Sequence, residues 1–184
     1  MKGWINMTNT SHARLRALVE TALLVAMAYI LNLIKLWEMP YGGSVTAVSM
    51  LPLVLIGLRR GPKWGFAGCF VYGLIDYVLG TKYGFSLISL LCDYIFAWTA
   101  MGVAGFFKGK SWGIWAAVPT ACFGRFIFTF ISGVTVWSEY APEGMPVALY
   151  STLYNGGYIG AEMLLIFVVA LVLKTALPRL LKAE

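Results

Sequence analysis

Along this chain the apolar residues come in long continuous runs, interrupted by short polar or Gly/Pro-rich stretches, with no sustained apolar/polar alternation. Runs of that length predict helices apolar on all sides, because a helix facing water needs a polar face. Six are predicted: Arg14–Leu36, Val45–Leu58, Trp64–Leu79, Phe85–Phe107, Trp112–Trp137 and Val147–Leu173. Residues 1–13, with Thr8, Asn9, Thr10 and Ser11 in succession, read as a polar amino-terminal tail, and residues 176–184 as a basic carboxy-terminal one. The second run is short for a bilayer crossing. A crossing there nonetheless keeps Arg59, Arg60 and Lys63 on the same side as the basic amino terminus, and local thinning accommodates it.

Composition turns the helices into a membrane domain. The 184 residues are 60% hydrophobic and 12% charged, with a mean hydropathy of +0.78; a soluble domain carries about twice that share of charge. The expected architecture is an all-α integral membrane protein, a six-transmembrane-helix bundle over residues 14–175, at about 20 apolar residues per crossing. That leaves no room for an ATPase within the chain. The net charge of +6 is distributed as a topology signal and not as a nucleic-acid surface. Placing the basic loops in the cytoplasm puts there 11 of the 14 Lys and Arg residues: Lys2, Arg14, Arg16, Arg59, Arg60, Lys63, Lys108, Lys110, Lys174, Arg179 and Lys182. Both termini are then cytoplasmic. The first run is too long for a signal-peptide core and is expected to stay in the mature protein. Cys69, Cys92 and Cys122 fall in separate runs without a Cys-x-x-Cys pair and are expected as small buried residues.

Candidate chemistry is confined to a few polar side chains within the apolar runs. At about 1.5 Å per residue, Asp93, Tyr94, Thr129, Trp137, Tyr150 and Asn155, with Tyr83 just before its helix, fall in the outer half of the bilayer. A buried carboxylate there needs a partner charge or a cavity. Asp93 therefore has two readings: an ion pair with Arg125, or a contact to a cationic ligand. Arg125 could equally pair with Glu162 and join the last three helices. In the ligand reading Tyr83, Tyr94, Trp137 and Tyr150 supply flat faces for stacking and cation–π contact, and Asn155 a donor–acceptor pair. Phosphate-binding, zinc-protease and serine-hydrolase motifs are absent, and the single histidine, His12, lies in the tail. The chain is expected to have no catalytic residues, metal or cofactor. Ala22 and Ala26 form a small-x-x-x-small pair, and Gly156 and Gly160 a second such spacing expected to mark close helix contact.

Three blocks carry a family resemblance: Arg59-Arg60-Gly61-Pro62-Lys63-Trp64-Gly65, Asp93-Tyr94, and the stretch from Phe130-Ile-Ser-Gly133 to Tyr150-Ser-x-x-x-Asn155. Over residues 15–175 the chain resembles the thiamine-specific substrate-binding subunits, or S-components, of energy-coupling factor transporters. The resemblance implies a bacterial plasma-membrane subunit that binds thiamine from outside. It further implies docking on a transmembrane coupling subunit that carries two cytoplasmic ATPase subunits. Asp93 matches the pocket carboxylate, Tyr94 its neighbouring phenol, Tyr83 an earlier aromatic and Trp137 the ring-stacking tryptophan; Tyr150 and Asn155 match polar contacts. The loop between the first two helices matches a lid, with Trp37, Tyr41 and Gly43 as its candidates, and Ala22 and Ala26 face the coupling subunit. The chain departs from the family pattern where a pocket histidine aligns with Thr129 and a lid tryptophan aligns near Gly43. Alternatives are an S-component for a thiamine precursor or another vitamin, a self-sufficient small-molecule carrier and, with least support, a membrane enzyme.

Overall fold

The structure is a computed structural model; it describes residues 2–80 and 86–176, with side chains from residue 11 onward. The described residues are mostly helical. In chain order they form α1 (Lys2–Asn32), a hairpin of β1 (Lys35–Glu38) and β2 (Ser44–Thr46), α2 (Met50–Arg60), α3 (Pro62–Leu79), α4 (Leu87–Phe107), α5 (Gly113–Thr135) and α6 (Val147–Ala176). Among the described residues four stretches are long and apolar enough to cross a membrane: Ser11–Asn32 of α1, and α4, α5 and α6. Their outward faces carry exposed Leu23, Ile30, Phe123, Leu164 and Val168, a surface suited to lipid and not to water.

The short second run is where sequence and structure part most. The helix predicted over Val45–Leu58 begins only at Met50, and the first helix, predicted to reach Leu36, ends at Asn32. The residues freed at both ends form an antiparallel hairpin that pairs Trp37 with Val45 and Glu38 with Ser44. Tyr41 and Gly42 turn it in the left-handed region, at φ 67° and 106°. The 11-residue α2 is buried from Met50 to Leu58, so it is enclosed by protein and need not match a bilayer's thickness. Non-helical backbone at such depth is stable only where protein satisfies it, and Glu162 of α6 does so. One oxygen of its carboxylate accepts from the Thr46 hydroxyl at 2.7 Å, the Ser49 hydroxyl at 3.1 Å and the Met50 backbone N–H at 3.3 Å. A carboxylate thus sits against the amino-terminal end of α2, where free N–H groups and the helix dipole favour negative charge. The Arg125–Glu162 pair, one of two partners open to Arg125 from the sequence, is not formed among the described residues.

The Arg59-Arg60-Gly61-Pro62 block turns the chain between α2 and α3. Gly61 takes φ 91° and donates its N–H to Gly57 at 2.7 Å, while Pro62 opens α3, where its missing N–H has no helical partner to lose. Both arginines bond the carboxylate of Glu20 on α1. Close approach then packs α2, α3 and α4: a Cβ on Gly105 of α4 would lie 2.4 Å from Pro62.

Several smaller expectations are revised. α1 begins at Lys2, inside the stretch read as a polar tail, and α5 ends at Thr135, short of Trp137. Of the Gly156/Gly160 pair, a Cβ on Gly156 would meet the Phe126 ring of α5 at 3.8 Å, an ordinary contact, whereas Gly160 has no atom within 4 Å of a Cβ built on it, so the spacing does not mark a tight helix crossing. Cys69 and Cys122 are buried, whereas Cys92 is only partly so. Ala22 and Ala26 lie on the exposed face of α1. Tyr83, the predicted start of the fourth helix at Phe85, and most of the basic carboxy-terminal tail lie outside the described residues.

Candidate functional site

Between the hairpin and the adjoining ends of α1, α3, α4, α5 and α6 lies a cavity of about 250 Å³. Asp93, Tyr94, Thr129, Trp137, Tyr150 and Asn155 all line it, with Tyr41 and Gly43 from the hairpin. Trp37, the third lid candidate, is not part of the lining and is 56% exposed.

Asp93 lies in a π-helical turn, Leu90–Phe96, that replaces α-helical geometry in the middle of the first half of α4. Such turns recur at functional sites because the wider spacing re-aims side chains. One oxygen, Oδ2, accepts from the Ser89 hydroxyl at 2.5 Å, the Ser132 hydroxyl at 2.7 Å and the Trp137 indole N–H at 3.3 Å. These donors are neutral, and the Asp93–Arg125 ion pair, one of the two readings of Asp93 open from the sequence, is not formed among the described residues. Arg125 instead lies with its guanidinium carbon 3.7 Å from the centre of the Trp98 ring and points one nitrogen at the Met50 sulfur. Its buried Nε has no acceptor among the described residues. Asp93 is therefore held in place by neutral donors, with Arg125 in the same cavity wall but not in direct contact with it.

Other predicted residues are spent on the scaffold. The Asn155 amide reaches the Ser151 carbonyl at 3.0 Å and the Thr129 carbonyl at 3.3 Å, and its oxygen accepts from Tyr158 at 3.1 Å. It ties α6 to α5 as well as lining the cavity. The Thr129 hydroxyl is turned back onto its own helix, 3.1 Å from the Phe126 carbonyl.

Several residues of the site were not singled out from the sequence. Asp76 of α3 is a second carboxylate in the lining; it accepts from Asn32 Nδ2 at 3.1 Å and from Trp98 Nε1 at 2.9 Å. The recurrence of Asp-Tyr at residues 76–77 and 93–94 was its only signal. Tyr154 and Tyr158 continue Tyr150 at helical spacing of four, giving ring centroids 5.8 and 6.0 Å apart along α6. A second aromatic chain runs Tyr41–Tyr140–Trp137, with centroids 4.1 and 5.7 Å apart, from the hairpin tip down to Asp93's indole donor.

Tyr154 also fastens the hairpin. Its hydroxyl accepts from the Gly43 N–H at 2.8 Å and donates to the Pro40 carbonyl. A Cβ on Gly43 would sit 2.8 Å from the Tyr158 ring and 2.9 Å from that hydroxyl. The tyrosines thus fill the space that a tryptophan at this position would need. In Tyr154→Phe both hairpin contacts are lost, and backbone exchange over residues 39–46 accelerates by roughly tenfold. Hydrogen–deuterium exchange with mass spectrometry reads this directly; unchanged protection there would rule out a fastening role.

Comparison with known proteins gives the family and the fold. The profile of the family described as Thiamine transporter protein (Thia_YuaJ) matches residues 18–182. The chain is 33% identical over 182 residues to the thiamine transporter ThiT of Bacillus subtilis, covering 91% of this chain and 94% of that protein. It is 30% identical over 193 residues to ThiT of Lacticaseibacillus paracasei, covering 94% of each. A solved structure of ThiT from Listeria monocytogenes superposes with a TM-score of 0.81 at 22% identity, over 94% of this chain and 100% of that one, and so shares its fold. By the extent of the profile match and the two relatives, the chain belongs to this thiamine transporter family.

Proposed function

We propose that this protein binds thiamine from the outer side of a bacterial plasma membrane as the substrate-binding subunit of an energy-coupling factor transporter. The observation that carries the reading is the charge of the cavity wall. Asp76 and Asp93 both line it and neither is in an ion pair among the described residues; Arg125 and Lys35 share the lining, Arg125 being stacked on Trp98. Such a wall is stabilised by a ligand that brings a fixed positive charge. Thiamine has a cationic thiazolium ring for the faces of Trp137, Tyr140 and Tyr150, and an aminopyrimidine with hydrogen-bonding edges. Asp93 is the pocket carboxylate, Tyr94, Trp137 and Tyr150 are aromatic contacts, and Asn155 and Thr129 shape the wall; Tyr83 belongs with them on the resemblance alone.

The subunit crosses the membrane six times with both termini in the cytoplasm, an arrangement supported by the basic clusters at residues 59–63 and 108–110. The hairpin with Tyr41 and Gly43 closes the cavity from outside, Trp37 facing away. The protein is not an enzyme: a coupling subunit docks on the α1 face that presents Ala22 and Ala26, and ATP hydrolysis occurs on two partner subunits. Trp98 and Trp137 make the binding claim easy to test. Thiamine added to purified protein should quench tryptophan fluorescence saturably at submicromolar concentration. If it produces no quench, and no thiamine co-purifies by mass spectrometry, the reading fails.

A further inference from the structure

Asp76 has no part in the ligand contacts implied by the resemblance, yet it is built into the cavity as firmly as Asp93. Three elements converge on it. Asn32 from the end of α1 donates to one carboxylate oxygen at 3.1 Å, and Trp98 from α4 donates to the other at 2.9 Å. The same indole carries Arg125 on its face at 3.7 Å. A carboxylate has about four lone-pair sites, and these two bonds occupy two, so Asp76 keeps acceptor capacity on the cavity side. The two carboxylates also differ in their surroundings. Asp93 is flanked by Tyr94 and by Trp137, which continues through Tyr140 to Tyr41, the flat faces that a ring cation needs. Beside Asp76 the Trp98 indole gives its N–H to the carboxylate and has its face covered by Arg125, so what Asp76 offers a ligand is hydrogen-bond acceptance.

On the thiamine reading, which this inference deepens, we propose that Asp76 is a second ligand-contacting carboxylate, accepting a hydrogen bond from the exocyclic amine of the ligand's heteroaromatic ring while Asp93 faces its cationic ring. The site then selects for two features at once, an amino-substituted heteroaromatic edge and a fixed positive charge, each read by its own carboxylate.

The test uses the full-length protein in detergent and three probes: thiamine, the analogue with hydrogen in place of the exocyclic amine, and the isostere with a neutral ring in place of the thiazolium. Wild type is expected to prefer thiamine over the desamino analogue by roughly tenfold or more. In Asp76→Asn and Asp76→Ala this preference falls to within about threefold, while the preference for thiamine over the neutral-ring isostere persists. A merely structural role for Asp76 lowers the affinity for all three probes together and leaves both ratios intact, and that result overturns the proposal. So does a wild type that binds thiamine and the desamino analogue equally, a measurement that requires no variant to fold. A wild type that binds none of the probes sinks the thiamine reading itself, and the assignment of Asp76 with it.

Discussion

Asp93→Asn is expected to weaken thiamine binding by roughly two orders of magnitude while leaving the fold intact. The amide is isosteric and keeps one oxygen to accept from Ser89, Ser132 or Trp137, so what is lost is chiefly the charge. Two unit charges about 4 Å apart interact by about 4 kcal/mol at an effective dielectric constant of ~20. Part of that is offset by the cost of desolvating both partners, which leaves about 2–3 kcal/mol, or roughly 30- to 150-fold in affinity. Fluorescence titration of the two proteins side by side gives the ratio. A variant within about threefold of wild type would mean that the ligand's charge is met elsewhere. The neutral-ring isostere sharpens the outcome, because it should bind wild type and Asp93→Asn almost alike.

How far the sequence reached follows from which interactions are local. Long apolar runs specify helices wherever they occur, so α3, α4, α5 and α6 are found close to their predicted limits, and Asp93 stood out because its depth put it level with Tyr94, Trp137 and Tyr150. The hairpin was hidden for the opposite reason. Leu36, Trp37, Val45 and Thr46 suit a helix or a strand equally in isolation, and the choice is made by Glu162, more than a hundred residues away, which binds Thr46, Ser49 and the start of α2. Glu162 itself was read as an ion-pair partner, since a run of residues gives no hint that the best partner of a buried carboxylate is a helix end. Asp76 lay inside an apolar run like Asp93, but its partners are not local: Asn32 and Trp98 reach it only through the fold. Tyr154 was missed although Tyr150, Tyr154 and Tyr158 recur at intervals of four, a stripe that a helical wheel of α6 would have drawn beside Asn155.

Glu162→Ala is expected to be the most destabilising single change among these residues. The side chain is 1% exposed, and its removal takes the acceptor from two hydroxyls and a backbone N–H in a volume no larger than the missing carboxylate. The Thr46 hydroxyl still donates to Ser49 at 2.7 Å, so the Ser49 hydroxyl and the Met50 N–H are the groups left without an acceptor; each costs about 1–3 kcal/mol, and the loss of the charge at the start of α2 adds to that. A net loss of about 3–5 kcal/mol follows, which lowers the apparent melting temperature in detergent by roughly 10 °C. Glu162→Gln separates the contributions: it keeps an acceptor oxygen for Thr46 and Met50 but not the charge, so it should fall between Ala and wild type. The hairpin hangs from the same carboxylate through Thr46. Both variants should therefore also loosen residues 39–46 to hydrogen exchange, the alanine more than the glutamine. A melting temperature within about 2 °C of wild type for Glu162→Ala would show that water can replace the carboxylate, and that α2 is held by its other contacts to the surrounding helices.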